Sequence, residues 1–178
     1  MSIVCYHYIV DEDNEILDLV DEHDVVIGQK TRKAVYAEGL DGHIRVVNGF
    51  IVNKAGKLWI PRRTAHKTLF PSALDMSIGG HVGTGETYED AFKREAAEEV
   101  NINLDKIPYK KIGHFRSGEH GLHCFSKLYL IRSDATPDYN KDDFAEYYWL
   151  TPQGLMDRIK NGDTAKNDLL ILVSLLEL

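Results

Sequence analysis

The chain has 178 residues, a formal net charge of −7, and 43% hydrophobic and 28% charged residues. Such fractions belong to an ordinary soluble globule, long enough for one real core. The acidic balance weighs against a nucleic-acid polymer as partner, though not against a small phosphorylated ligand held by a few local cations.

No basic-then-apolar leader opens the sequence, and the longest apolar run, Leu169 to Leu176, is too short to span a bilayer. Cys5 and Cys124 form no spacing pattern. Free thiols in a reducing, cytoplasmic compartment are expected.

In chain order, Ile3 to Val10 is apolar and β-prone, and Asp11-Glu12-Asp13-Asn14 is a turn cluster. Glu15 to Val20 and Val25 to Gly28 are the next strand candidates, around Asp21-Glu22-His23-Asp24. The segments Ile9-Val10-Asp11-Glu12-Asp13 and Leu19-Val20-Asp21-Glu22-His23 look alike. Two copies cannot build a solenoid, so a small meander is expected. His7 and His23 read as surface residues. Thr31 to Glu38 predicts a short helix ending at Gly39.

Ile44 to Val52 reads as a buried strand, Asn53-Lys54-Ala55-Gly56 as a hairpin turn, and Leu58 to Ile60 as the return strand. Pro61-Arg62-Arg63-Thr64-Ala65-His66-Lys67 is the densest basic patch in the chain. A solvated loop is one reading. The other is a substrate clamp of Arg62, Arg63 and Lys67, because arginine forks suit diphosphate oxygens. Met76-Ser77-Ile78 is a short strand that delivers Gly79-Gly80.

The stretch from Gly79 to Ile102 organises the rest. Gly79-Gly80-His81-Val82-Gly83-Thr84-Gly85-Glu86 is a glycine-rich loop ending in an acid. Thr87-Tyr88-Glu89-Asp90 fits a capping box, with Thr87 as N-cap. At ~100° per residue, Phe92, Ala96 and Val100 share a core-facing stripe. Glu95, Glu98 and Glu99 crowd a neighbouring arc at spacings i, i+3, i+4. Like charges there cost stability, and a hard cation such as Mg²⁺ removes that cost. A charged helix face can also be plain solvated surface.

Lys110 to Arg116 and Leu122 to Arg132 make a strand pair. His120 and His123 have an HxxH spacing but lack further ligands at zinc spacing. Phe144 to Leu150 is a strand, and Pro152 starts a helix at its first position. The last helix, Thr164 to Leu176, either caps the core or meets a partner, a second copy of the chain being one candidate. No linker divides the sequence. One domain over 1–178 is expected, with a β-rich extension over 1–40, a core over 41–165 and the closing helix over 166–178.

The central stretch resembles the Nudix box, G-x5-E-x7-R-E-U-x-E-E-x-G-U, where U is a bulky aliphatic. Gly80, Glu86, Arg94, Glu95, Glu98, Glu99 and Ile102 fall at the box offsets. Ala96 is small for U, and Asn101 stands where the box has Gly. Asn is the next best residue for a left-handed helix stop, so no metal ligand is touched. Around the box, Leu19 to Gly28, His43, Arg62-Arg63 with Lys67, and Ser77-Ile78-Gly79-Gly80-His81 look like the branch related to isopentenyl-diphosphate isomerase. Trp149-Leu150-Thr151-Pro152 is also similar to Nudix endings.

The resemblance implies an α/β (α+β) fold, an α/β/α sandwich on a mixed sheet with the box as loop-helix-loop. It also implies metal-assisted hydrolysis of a diphosphate in a small substrate. Glu95, Glu98, Glu99 and the Gly79 carbonyl would bind Mg²⁺, with Mn²⁺ as substitute. Gly80, Glu86 and Arg94 would be structural, Arg94 locking the loop through Glu86. His81 matches a metal-binding histidine of the isomerase, His43 less closely, and either is otherwise a hydrogen-bonded wall residue. Glu98 or Glu99 could take the proton from water, and Glu119 and Glu146 are later acids that could do so instead. Glycine at 79 fills the isomerase's cysteine slot and cannot serve as acid or base. A hydrolase is therefore favoured over an isomerase. A sensor without turnover is disfavoured because the box keeps every acid.

Overall fold

The computed structural model of the protein describes residues 14–176. The strand expected over Ile3 to Val10, the first of the two similar segments, Cys5 and His7 lie outside them.

Two antiparallel strands come first, β1 (Ile16–Val20) and β2 (Val26–Thr31). Asp21 shapes their turn, its carboxylate accepting the N–H groups of His23 and Val25. His23 lies at the surface, as its pattern suggested. Thr31 then caps α1 (Arg32–Ala37) by accepting the Ala34 N–H. Gly39, at φ 67°, follows that helix in the left-handed region.

The main sheet comprises β3 (Arg45–Val52), β4 (Leu58–Arg63), β5 (Ile78–His81), β6 (Tyr109–Phe115), β7 (Phe125–Arg132) and β8 (Phe144–Leu150). Its order is β6-β7-β3-β4-β8, with β5 also paired to β3. β3 runs parallel to β7 and antiparallel to β4 and β5, so the sheet is mixed. β3 meets β4 only at Val52 and Leu58, and its other end takes β5 from Val46 to Gly49. β4 continues past the expected end at Ile60. Arg62 and Arg63 are therefore strand residues paired to β8, not part of a loop.

Helices cover both faces. Val47 and Ile51 of β3 pack with Phe92, Ala96 and Val100 of α2 (Tyr88–Val100). Phe50 and Val52 turn to the opposite side and join Leu155 of α3 (Pro152–Lys160) and Leu169 and Leu172 of α4 (Leu169–Ser174). A strand buried on both faces needs apolar residues at successive positions, which explains the run from Phe50 to Val52. Phe92 stacks on Tyr129 at 4.2 Å between ring centres. Burying such a ring stabilises by about 1.5–3 kcal/mol.

The helix ends follow the sequence closely. Thr87 accepts the Asp90 N–H at 3.1 Å, and Asn101 stops α2 in the left-handed region at φ 51°. Pro152 opens α3 behind the Thr151 cap. The closing helix is shorter than expected and starts at Leu169 rather than Thr164. Residues 164–166 run extended beside Leu74 instead. The Leu74 N–H donates to Thr164 O at 2.8 Å, and the Lys166 N–H donates to Leu74 O at 2.9 Å. α4 caps the chain's own core through Leu169, Leu172 and Val173. Among the described residues no helix is long and apolar enough to cross a membrane.

Candidate active site

The site is built where β5 runs into the glycine loop and α2. The Gly83 N–H donates to Glu86 at 2.9 Å, which closes the loop on its own acid. β1 holds it from outside, because the Gly85 N–H donates to Asp18 at 3.0 Å. Arg94 then grips Glu86 with two nitrogens at 2.9 and 3.0 Å and donates to His81 O at 3.0 Å. Arg94 thereby bridges the loop and the helix. Burial alone pushes Glu86 up, but the Arg94 fork and the Gly83 N–H outweigh it and hold the carboxyl below its ordinary value.

The acids of α2 line one cavity of about 580 Å³ together with Gly79, Gly80 and His81. Glu99 accepts the Gly79 N–H at 2.8 Å. Glu95 sits so close to Gly80 that a Cβ there would fall on its carboxyl group. Only glycine permits this approach, which explains Gly80 physically. Glu95 and Glu98 both touch Arg94, at 2.6 and 3.3 Å. Glu98 is the open member, with its side chain 59% exposed. Burial pushes Glu95 up to about 7 against the pull of Arg94. Burial, and then the Glu95 charge, push Glu99 well above the ordinary carboxyl value.

Among the described residues no three His, Cys, Asp or Glu side chains already converge on one point. The donors still suit a hard dication. Glu99, the largely buried Glu95 and the accessible Glu98 line one cavity, and burial penalises the charge of the first two.

The expected residues do not all meet. Arg63 and Lys67 line the cavity, whereas Arg62 is not among the lining residues. Its guanidinium is held by Glu146 at 2.7 Å, Ser72 O at 2.9 Å and Asp163 at 2.9 Å. The β4–β8 pairing sets Arg62 opposite Glu146, which makes Glu146 its ion-pair partner and takes it from the cavity lining as well. Glu119 accepts the Arg116 N–H in a single 3-10 turn, also outside the lining. His43 bonds Val20 O at 2.9 Å and is likewise absent from it.

His81 stands in the wall, one ring nitrogen 2.9 Å from the Tyr36 hydroxyl and the other 3.8 Å from Glu15. His123 reaches the cavity and approaches Asp41 at 3.9 Å, whereas His120 points to Glu119.

Several lining residues carried no signal in the sequence. Lys166 and Asp143 belong to no spacing pattern, and Asp143 meets Lys67 at 2.6 Å. Cys124 is far in sequence from Gly79 yet lines the same cavity. Burial pushes its thiol up to about 12, so it is protonated at neutral pH.

Comparison with known proteins agrees with this arrangement. The chain is 50% identical to an uncharacterized Nudix hydrolase of Nostoc sp. over 164 residues, 92% of this chain and 96% of that protein. It is 48% identical to a Nudix hydrolase of Deinococcus radiodurans over 162 residues, 90% of this chain and 92% of that one. The crystal structure of DR0079 from Deinococcus radiodurans superposes with a TM-score of 0.84 at 47% identity, covering 90% of this chain and 98% of that one. The NUDIX domain family matches residues 42–171, the segment holding the main sheet, the locked loop and the acids of α2. With sequence, fold and box geometry in agreement, the chain belongs to the Nudix family.

Proposed function

We propose that the protein is a hydrolase that depends on a divalent metal and cleaves a diphosphate linkage in a small substrate, by attack of water at phosphorus. One observation carries this reading. Glu99, which is buried, and Glu95, which is largely so, face the same cavity as the Gly79–Gly80 backbone and the cations Arg63 and Lys67. Largely buried acids in one cavity with half-buried cations fit a metal and a phosphate between them, and a plain structural network has no need of the cavity.

Glu95, Glu98, Glu99 and the Gly79 carbonyl are the residues that would hold the metal, Mg²⁺ or Mn²⁺ in its place. Bound there, such an ion would lower the pKa of a water and offset charge on the departing phosphate. The chain's own residues do the rest. Arg94 and Glu86 fix the loop, so Gly79 and Gly80 keep their backbone near the acids. Arg63 and Lys67 draw in the phosphates and orient them. Glu98 is the proposed proton acceptor, because it is the accessible acid and its contact to Arg94 is loose. His81 stays in the wall, since its ring already faces Tyr36 and Glu15. A reducing, cytoplasmic setting is part of the proposal, with Cys124 as a free thiol there.

A panel of nucleoside-diphosphate conjugates and simpler diphosphates, incubated with Mg²⁺, tests the proposal. Phosphorus NMR is expected to show monophosphate products from at least one class. Intact substrates across the whole panel, with folded protein, would contradict it.

A further inference from the structure

Asp75 lies behind the cavity wall with its side chain only 4% exposed, and it holds two cations at once. Arg63 Nη1 stands 2.8 Å from Oδ2, and Lys166 Nζ stands 3.2 Å from Oδ1. Both cations line the cavity, whereas Asp75 is not among the lining residues. Within this trio one buried negative charge is shared by two positive ones, a local surplus of one positive charge, with Asp168 also lining the cavity within reach of the Lys166 charge.

Lys166 is well placed to use that surplus. Its backbone is pinned to Leu74 by the extended segment before α4, the part the sequence read as helix. A Cβ built at Gly79 would lie 3.8 Å from its ammonium. Gly79 also donates its N–H to Glu99 at 2.8 Å. The same glycine is thus flanked by a box acid on one side and an ammonium group on the other. A group carrying negative charge, settled beside Gly79, meets both.

We infer that Lys166, set by Asp75, is a substrate-binding residue that grips the phosphate lying next to Gly79. The inference rests on the proposed diphosphate chemistry. A fixed ammonium costs little reorganisation when a phosphate arrives, and it offsets charge that grows on the phosphoryl oxygens during transfer. Arg63 shares the task at the same carboxylate, so the pair forms a two-cation cradle. The competing role is purely structural. Lys166 would then only neutralise Asp75, whose charge lies close enough to Glu99 to push that carboxyl up.

The test uses the full chain with Mg²⁺ and inorganic pyrophosphate as the probe, with affinity read by calorimetry, alongside turnover of whichever diphosphate the wild type cleaves. Lys166→Met is expected to weaken pyrophosphate binding about 10–100-fold, the range for losing one charged hydrogen bond. Lys166→Arg is expected to keep most of it. Because Lys166→Met leaves Asp75 short of a partner, the Asp75→Asn/Lys166→Met double variant is measured as well. It removes the buried carboxylate with one of its two counterions and leaves Arg63 charged, so the local charge sum is unchanged; folding is expected to hold, and binding that stays weak is owed to the missing ammonium itself.

Wild-type affinity in either Met-containing variant, restored affinity in the double variant, or equal losses in Lys166→Arg and Lys166→Met would overturn the inference. A wild type that binds no pyrophosphate would do so too. The proposed function fails separately, when the wild type turns over no diphosphate at all. Pyrophosphate binding is still readable in that case.

Discussion

The backbone N–H of Gly79 donates to the Glu99 carboxylate at 2.8 Å, joining the strand that enters the box to the helix that leaves it. Glu99 is thereby aimed at the glycine whose carbonyl is proposed to touch metal. Its charge is penalised by burial and by Glu95, and one N–H does not offset that. The residue suits a cation better than it suits the core.

Replacing Glu99 by Gln keeps the shape and removes the charge. Turnover is expected to fall roughly 10²-fold or more, as for other single groups that stabilise transition-state charge. The metal-free protein is expected to melt no lower than wild type, because a buried charge has gone. Steady-state kinetics and a melting curve check both parts. Wild-type turnover would remove Glu99 from the site.

Arg94→Ala has the opposite signature. It breaks the two-nitrogen grip on Glu86 and frees the His81 carbonyl. A loss of about 2 kcal/mol is expected, discounted because the side chain is partly solvated. The melting temperature should drop clearly and activity should fall with it. Activity lost at an unchanged melting temperature would make Arg94 a substrate residue instead.

Acidity and metal act together on stability. Glu95 has a folded pKa raised from 4.5 to about 7. A carboxyl whose folded value lies above its unfolded value binds its proton more tightly when folded, so unfolding releases protons between the two values. In EDTA, stability from this group is therefore present below pH 4.5 and is lost as pH rises through about 7. Glu99 is shifted in the same direction and adds to the loss. Saturating Mg²⁺ should restore the melting temperature most at neutral pH. A melting temperature in EDTA that rises across this window, after other groups are matched by a Glu95→Gln control, would contradict the assignment.

Gly79 also separates hydrolysis from isomerisation. A Cβ there would meet Asn48, Lys166 and Met76 at 3.5–3.8 Å, which is ordinary contact, so Gly79→Cys should fold. The added thiol crowds the proposed metal-side backbone, and hydrolysis should drop. Wild type is not expected to isomerise isopentenyl diphosphate, because position 79 carries no proton-transfer group, and the variant is expected to gain no useful isomerase activity, because its side chain crowds the proposed metal-side backbone. Proton NMR in heavy water is the check, and isomer formed by the wild type would reverse the ranking of the two activities.

The box was legible because its chemistry is local. Glu86, Arg94, Glu95, Glu98 and Glu99 are tied together by one loop and one helix, so spacing alone places them. The Asn101 stop and the Thr87 cap were readable for the same reason. What spacing missed lies far apart in the chain. Arg62 is taken up by Glu146 and Asp163, 84 and 101 residues away, and nothing near Arg62 reports this. Lys166 looked like the first turn of an apolar helix, but the backbone there pairs with Leu74. Cys124 reaches the cavity only because β7 lies parallel to β3, a choice made by sheet topology.

Metal-dependent attack of water at phosphorus is tested most directly by turnover in ¹⁸O-water with Mg²⁺, against a parallel sample in excess EDTA. The expected result is one ¹⁸O atom in a phosphate product, read by mass spectrometry, and no turnover with chelator. Full turnover in EDTA, or label found only in an alcohol product, as attack at carbon would give, would contradict it.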